Sequence, residues 1–409
     1  MIEVAVIGGG ASGIACALEL KRLNKNINVT ILERLDKLGK KILATGNGRC
    51  NLSNELINEN CYKSNNEDFL KSINYEKSKQ IVKEFFNYLG LLLREENNRL
   101  YPYSNMASSV LDLFKEKIKE ENINIIYDFE CLDVIKENDN YKVISNNKTI
   151  IANNVVFASG GKSSKVLGSN GTIYPILKKL GYNVTSLSPG LTSIKVKESF
   201  VKDIKGQKSK AIVKLIKENN LIIESKGEIL FTEYGLSGIC IMDLSNYIDN
   251  DNYKISIDLM PEFSLNAIKQ QLKIRIQNNN IETKDLLLGI INNKIGYTLI
   301  KSLMININKL IISLTEQELD LIAKTIKEWT FNITDKLSYD NSQVTCGGVD
   351  TKEINYSTFE SIKNKNLYII GELLDIAGLC GGYNLHFAWY SGIIAARDIV
   401  DIKNIPVTK

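Results

Sequence analysis

The first 33 residues constrain this chain more than any other stretch. Residues 2–7, Ile-Glu-Val-Ala-Val-Ile, form an apolar, β-branched run of the length of a buried parallel strand. Gly8-Gly9-Gly10-Ala11-Ser12-Gly13 follows and fits G-x-G-x-x-G with glycines at 8, 10 and 13. A helical pattern (Ile14, Leu18, Leu20, Leu23) leads into a second strand, Val29–Leu32, that ends in Glu33, 20 residues after Gly13. Each part answers a physical need. Gly8 permits the tight turn out of the strand, Gly10 lets backbone amides approach a pyrophosphate, and Gly13 lets the helix lie on the sheet. The helix start at Ala11 and Ser12 presents N–H groups and a positive dipole end to phosphates. Glu33 can accept hydrogen bonds from both ribose hydroxyls of an adenosine. An acid rather than an arginine there disfavours a 2′-phosphate, so FAD or NAD is expected rather than NADP.

Bulk properties narrow the class. A chain of 409 residues is long enough for two or three domains, each with its own core. The 51 basic and 47 acidic residues nearly cancel, so no long-range field points to nucleic acid. Seven cysteines stand singly, with no C-x-x-C pair, which argues for reduced thiols in a cytoplasmic protein and against a metal site. The strand beginning at residue 2 leaves no room for a signal peptide, and no run of 18 apolar residues exists to span a membrane.

The segment after Glu33, from Arg34 to Asn54, is rich in Gly, Asn and Lys and lacks periodicity, so it reads as a long functional loop. Within it Lys40, Lys41 and Arg49 are expected to neutralise a pyrophosphate, while Thr45, Asn47 and Asn51 could line a ring. Residues 66–95 read as helical to Gly90, and Ser108–Glu121 as an amphipathic helix. Phe129–Ile135 and Tyr141–Ser145 read as a hairpin. Val155–Phe157 is a buried strand running into Ala158-Ser159-Gly160-Gly161, small enough to pass close to a cofactor.

Ser188-Pro189-Gly190 looks like a boundary. Short strand patterns follow from Leu191 to Asp258, among them Leu221–Ile223 and Ile229–Phe231 as separate strands, and suit a small barrel. Leu265 to Trp329 reads as a helical insertion. Near the end, Leu367–Ile370 is a strand ending in Gly371-Glu372, whose acid can bond ribityl hydroxyls. Gly381-Gly382-Tyr383-Asn384 then opens a last helix, Leu385–Ile399, and can aim backbone amides at the N1–O2 edge of an isoalloxazine. Two such strand ends from opposite ends of the chain suggest one nucleotide-binding domain with insertions between its halves.

With these segments in place the chain resembles the YhiN/BaiN-like family of FAD-dependent oxidoreductases, within the glutathione-reductase-type flavoproteins. The resemblance rests on Gly8–Gly13, Gly39–Asn54 (GKKILATGNGRCNLSN), Tyr101–Asp112, Ala158–Gly161, Phe231–Gly238, Thr345–Asp350 and Gly371–Gly392 (GELLDIAGLCGGYNLHFAWYSG). It implies an α/β fold: a Rossmann-type FAD-binding domain, 1–190 with 340–409, carrying a β-barrel-like insertion, 191–260 with about 330–345, and a helical subdomain, 261–329. Residue reading and resemblance together give the cofactor-binding set. To the residues above they add Arg34, Gly46, Cys50 and Cys131. Glu233 and His386 depart from the family pattern, where His and Gln respectively are common. No second G-x-G-x-x-G follows a strand, so NADH or NADPH would dock transiently at the flavin face.

The expected chemistry is reduction of an activated C=C bond, such as that of a 3-oxo-Δ4 steroid or bile-acid-like enone, by hydride from flavin N5. Tyr383, His386 and Tyr390 are the candidate proton donors, although a lone histidine early in a helix is more often a packed residue. Alternatives are an amine oxidase using O2 and a tRNA-modifying flavoprotein. The protein is expected to act on a small molecule as a monomer or homodimer, without nucleic-acid or membrane partners.

Overall fold

A computed structural model describes residues 2–249, 252–278 and 280–400. Chain contacts divide it into two units: one takes the residues up to Ser188 and from Gln343 onward, the other Pro189–Ser342.

The first unit is built on five parallel strands in the order Leu367–Ile369, Asn154–Phe157, β1 (Glu3–Ile7), β2 (Asn28–Leu32) and Asn124–Ile126. Register is set by pairs such as Val6 with Ile31 and Val6 with Val156. Both faces of this sheet are covered, which is why β1 reads as a continuous apolar run with four of its five residues buried. From β1 the chain moves to β2 on one side, while Asn154–Phe157 pairs on the other. The crevice at the end of β1 is therefore the topological switch point where open α/β sheets bind ligands.

α1 (Ala11–Leu23) follows β1 and is buried along most of its length. It packs on the last helix, Tyr383–Ile399, where the approach is close enough that a Cβ on Gly392 would lie 2.4 Å from the Ser12 carbonyl oxygen. The buried Glu19 of α1 is held by Arg22 at 2.6 Å and by Arg397 of the last helix at 2.9 Å. A carboxylate taken out of water so completely is sustained by these two cations.

The segment after Glu33 is less irregular than expected. It contains a five-residue helix, α2 (Lys40–Ala44), entered through Gly39 at φ +66°, and a turn at Thr45–Gly48. It then runs into the short strand β3 (Ser53–Asn54), which pairs with a hairpin of Leu93–Glu96 and Arg99–Pro102. The hairpin expected around residues 129–145 gains a third strand, Thr149–Ala152, and becomes a three-stranded sheet.

The second unit holds a closed six-stranded barrel formed by Ile194–Val196, Gly235–Ser237, Asn220–Phe231, Lys208–Lys217, Tyr253–Asp258 and Trp329–Lys336. Two sequence expectations change here. Asn220–Phe231 is one strand, because Gly227 does not turn the chain but makes room for Cys240, whose Cβ would be 3.3 Å from an added Cβ. Trp329 opens a strand rather than ending a helix, with its indole 4.9 Å from the Phe331 ring. The helices Leu265–Asn278, Asn293–Ser302 and Glu316–Lys327 share one buried core with the barrel, through Ile268, Leu299 and Ile322.

Candidate functional site

The glycines of the first turn occupy three different environments. Gly8 has φ +110°, and a Cβ there would meet the Ala158 carbonyl oxygen at 2.6 Å. A Cβ on Gly13 would lie 2.0 Å from the Gly8 oxygen, so helix and strand touch backbone to backbone. Nothing lies within 4 Å of a Cβ built on Gly10. This residue caps α1 with no side chain bonding its first amides. The opening of α1 is thus an open anion cradle walled by close-packed glycines.

Glu33, at the carboxyl end of β2, is buried. One of its oxygens accepts from the Gly9 amide at 2.8 Å and the other from the Leu35 amide at 2.8 Å. This fixes the carboxylate beside the glycine turn. Gly371 sits where a Cβ would be 2.7 Å from the Ser12 hydroxyl, and its amide donates to the Ser391 Oγ at 3.0 Å. The first and last segments of the chain therefore meet at one place.

Around that place Glu372 is held by two partners. It accepts from the Lys41 Nζ at 2.7 Å and from the Thr345 amide at 3.0 Å. The fully buried Thr345 hydroxyl in turn accepts from the Lys162 and Ser163 amides at 2.7 and 3.1 Å, tying down the loop after Gly160 and Gly161. Gly381 and Gly382, at φ +135° and +97°, precede the last helix. A Cβ on Gly382 would be 2.6 Å from both the Asn51 Oδ1 and the Ser53 oxygen. Asn384 does not face outward: it bonds the Gly378 amide and carbonyl at 2.8 and 2.9 Å and so fixes the turn.

Two buried polar atoms at this site lack a protein partner, the Asn51 Oδ1 and the Ser159 Oγ. Buried polar atoms are rarely left so in a finished structure. Together with the open Gly10 and the unclaimed amides of α1, they fit a bound dinucleotide with a polar ring system. FAD meets these requirements.

Several other expected residues are engaged by protein partners. Arg49 is not turned to the glycine loop. Its guanidinium bonds Glu96 at 2.7 and 3.2 Å and Asn105 at 2.6 Å, and lies 4.1 Å from the centre of the Tyr101 ring. Lys40 pairs with Asp36 at 2.7 Å, and Arg34 donates to the Gly168 oxygen at 3.2 Å. The Thr45 hydroxyl bonds the Ile42 carbonyl at 2.6 Å, and Gly46 and Asn47 form an exposed left-handed turn. Cys50 is buried at φ +57° and its thiol is pushed up to about 12 by burial. Cys131 is buried beyond Phe129, whose amide bonds the Glu33 carbonyl at 2.9 Å.

His386 corrects an expectation. It is buried, with Nδ1 2.8 Å from the Ser53 Oγ and Nε2 3.0 Å from the Ser78 Oγ. Burial lowers its pKa to about 3. The ring is a neutral core strut with both nitrogens engaged, so it is no proton donor to a ligand. Tyr390 is half-buried against the Phe359 and His386 rings, with its phenol pushed up to about 12 by desolvation. Tyr383 differs: its ring lies against the glycine turn, 3.1 Å from a Cβ on Gly381. Asn54 and Arg99 also reach that turn without having been singled out: Asn54 closes the segment read as a functional loop, and nothing in the local sequence marks Arg99. Among the described residues no helix is long and apolar enough to cross a membrane, and no group of three acidic, His or Cys side chains could hold a metal.

Comparison with known proteins gives a consistent placement. Residues 2–398 match the HI0933-like protein Rossmann domain. The chain is 32% identical over 403 residues to a 3-dehydro-bile acid delta(4,6)-reductase of Clostridium scindens, covering 97% of this chain and 98% of that one. It is 26% identical to a ribosomal RNA dihydrouridine synthase of Escherichia coli, covering 98% and 99%. Among solved structures, a 3-ketosteroid delta1-dehydrogenase from Sterolibacterium denitrificans matches with a TM-score of 0.52 at 12% identity, over 98% of this chain and all of that one, and shows the shared fold. The chain belongs to the HI0933-like family of Rossmann-type, FAD-dependent oxidoreductases, the YhiN/BaiN-like flavoproteins.

Proposed function

We propose that this protein is an NAD(P)H-driven reductase of a C=C bond conjugated to a carbonyl, with a steroid-like enone as the substrate class. The observation that carries the reading is the end-to-end relation, at 32% identity, to a protein named as a bile acid reductase. FAD, when bound, supplies a hydride to the β-carbon of the conjugated system. The α1 amides and Gly10 would hold the pyrophosphate, Glu33 the adenosine ribose, and Glu372 the ribityl chain. The Gly381–Gly382 turn and the start of the last helix would stabilise negative charge at the ring. The orphaned Asn51 Oδ1 would accept a ring N–H. Tyr383, whose phenol side lies against Gly381, is the donor of choice for the α-proton.

A second reading is favoured by the two full-length matches to ribosomal RNA dihydrouridine synthases, at 26% and 27% identity. The uracil C5=C6 bond is likewise conjugated to a carbonyl, so the same chemistry would serve. The test is to mix the FAD-loaded protein with NADH or NADPH without oxygen and follow the flavin bands. Bleaching by one nucleotide supports a reductase. An unbleached flavin overturns nucleotide-driven reduction and leaves an amine as the reductant to examine.

A further inference from the structure

The hairpin beside the glycine turn presents an unusual face. Residues opposite each other in an antiparallel ladder share a face, and alternate residues along a strand return to it. The register Arg94 with Tyr101, Glu96 with Arg99 and Asn54 with Arg99 therefore puts all five side chains on one side of this small sheet. Arg49 from the turn before β3 is laid over Tyr101 on the same side. Three guanidiniums thus lie on a face that carries one carboxylate, Glu96, which pairs with Arg49 and Arg94 at 2.7 Å each. Those two cations hold the Glu96 carboxyl below its usual range.

Arg99 has no side-chain hydrogen bond or ion pair among the described residues, and its Nε lies 3.6 Å from a Cβ on Gly381. Asn54 donates to the Gly381 carbonyl at 2.9 Å from the same face. An excess of fixed positive charge therefore adjoins the turn assigned to the flavin ring. Arg49 is also preorganised. Its fork is fixed by Glu96, its Nε by Asn105, and its flat side by Tyr101, so little side-chain freedom remains to be lost on binding.

We propose that this Arg49–Arg94–Arg99 face is a substrate subsite that takes the oxyanion of a small acid, a carboxylate or a phosphoryl group, carried on the molecule reduced at the flavin. This deepens the reductase reading and rests on it for the identity of the reacting bond. A single oxyanion matches the charge present better than a polyanion, because the excess is local and the whole chain carries only +4. An exposed apolar end at Leu92 and Tyr103, 66% and 63% exposed, continues the same face and suits the apolar body of such an acid.

The experiment uses the FAD-loaded protein without nucleotide, so no turnover is needed. A 3-oxo-Δ4 steroid bearing a side-chain carboxylate, and its methyl ester, are titrated separately while the flavin absorbance is followed. The expected result is that the wild type binds the acid about 10-fold more tightly than the ester. Arg99→Gln, which breaks no internal bond, and Arg49→Gln should each bring that ratio to within about twofold. An unchanged ratio in both variants, or no preference in the wild type, overturns the subsite. Tight binding of a uridine-containing RNA hairpin that these variants abolish, with no binding of the acid, also overturns it and assigns the face to phosphodiesters. Failure of the reductase reading looks different: the acid preference is present and arginine-dependent, yet the double bond is never reduced when NADH or NADPH is added.

Discussion

His386 shows how environment decides a residue's chemistry. A histidine free in water titrates near 6.5, but this one is enclosed and bonded to Ser53 and Ser78, with a pKa of about 3. The folded protein therefore binds its proton less readily than the unfolded chain does. Stability from this group is complete above about 6.5 and falls as pH drops toward 3. Between pH 6.5 and 5 the wild type should lose ~2 kcal/mol more than His386→Gln, measured by denaturant unfolding at both values. Equal losses would mean that the ring is not held neutral. Gly13 makes a sharper case. With the Gly8 oxygen 2.0 Å from its Cβ position, Gly13→Ala should cost at least ~2 kcal/mol and release FAD on gel filtration. His386 could not be read from sequence, because Ser78 lies 308 residues away. The glycine's role could, because its partner is five residues back.

Among the elements, the nucleotide-binding segments were the most legible, since β1, α1 and β2 place turn, amides and acid within one local unit. The Arg34–Asn54 segment was less so. Composition marked it as functional, but Arg49 is oriented by Glu96, Tyr101 and Asn105, all on elements that only the fold brings near. The Lys41–Glu372 pair, 331 residues apart, likewise joins α2 to the end of the edge strand Leu367–Ile369. It is partly exposed, so its contribution to stability is small. Its expected role is to set the carboxylate toward the ribityl chain. Glu372→Gln should weaken FAD affinity about 3- to 10-fold, by fluorescence titration of apoprotein, with little change in unfolding midpoint. In the barrel, the Gly227 strand and the Trp329 strand were misread because a glycine that makes room looks like one that turns the chain, and an aromatic that opens a strand looks like one that ends a helix. Phe331 is wholly buried against Trp329, and Phe331→Ala should cost about 3–5 kcal/mol in denaturant unfolding.

For the molecule as a whole, the chain folds its two ends into one nucleotide-binding unit and gives the middle to a barrel whose helices share its core. The acids at two strand ends, Glu33 and Glu372, mark the nucleotide-binding segments in the sequence, whereas the shared core of barrel and helices leaves no such mark, because their apolar stripes carry no record of what they pack on. Family membership follows from the full-length match, and hydride delivery to a conjugated double bond is the activity proposed on it. The most direct measurement reduces the bound flavin chemically without oxygen and then adds a 3-oxo-Δ4 steroid acid. Return of the oxidised flavin bands, matched mole for mole by loss of the enone absorbance, is the result predicted here. A flavin that stays reduced with the steroid acid and with uridine-containing RNA, and reoxidises only when air is admitted, would contradict it.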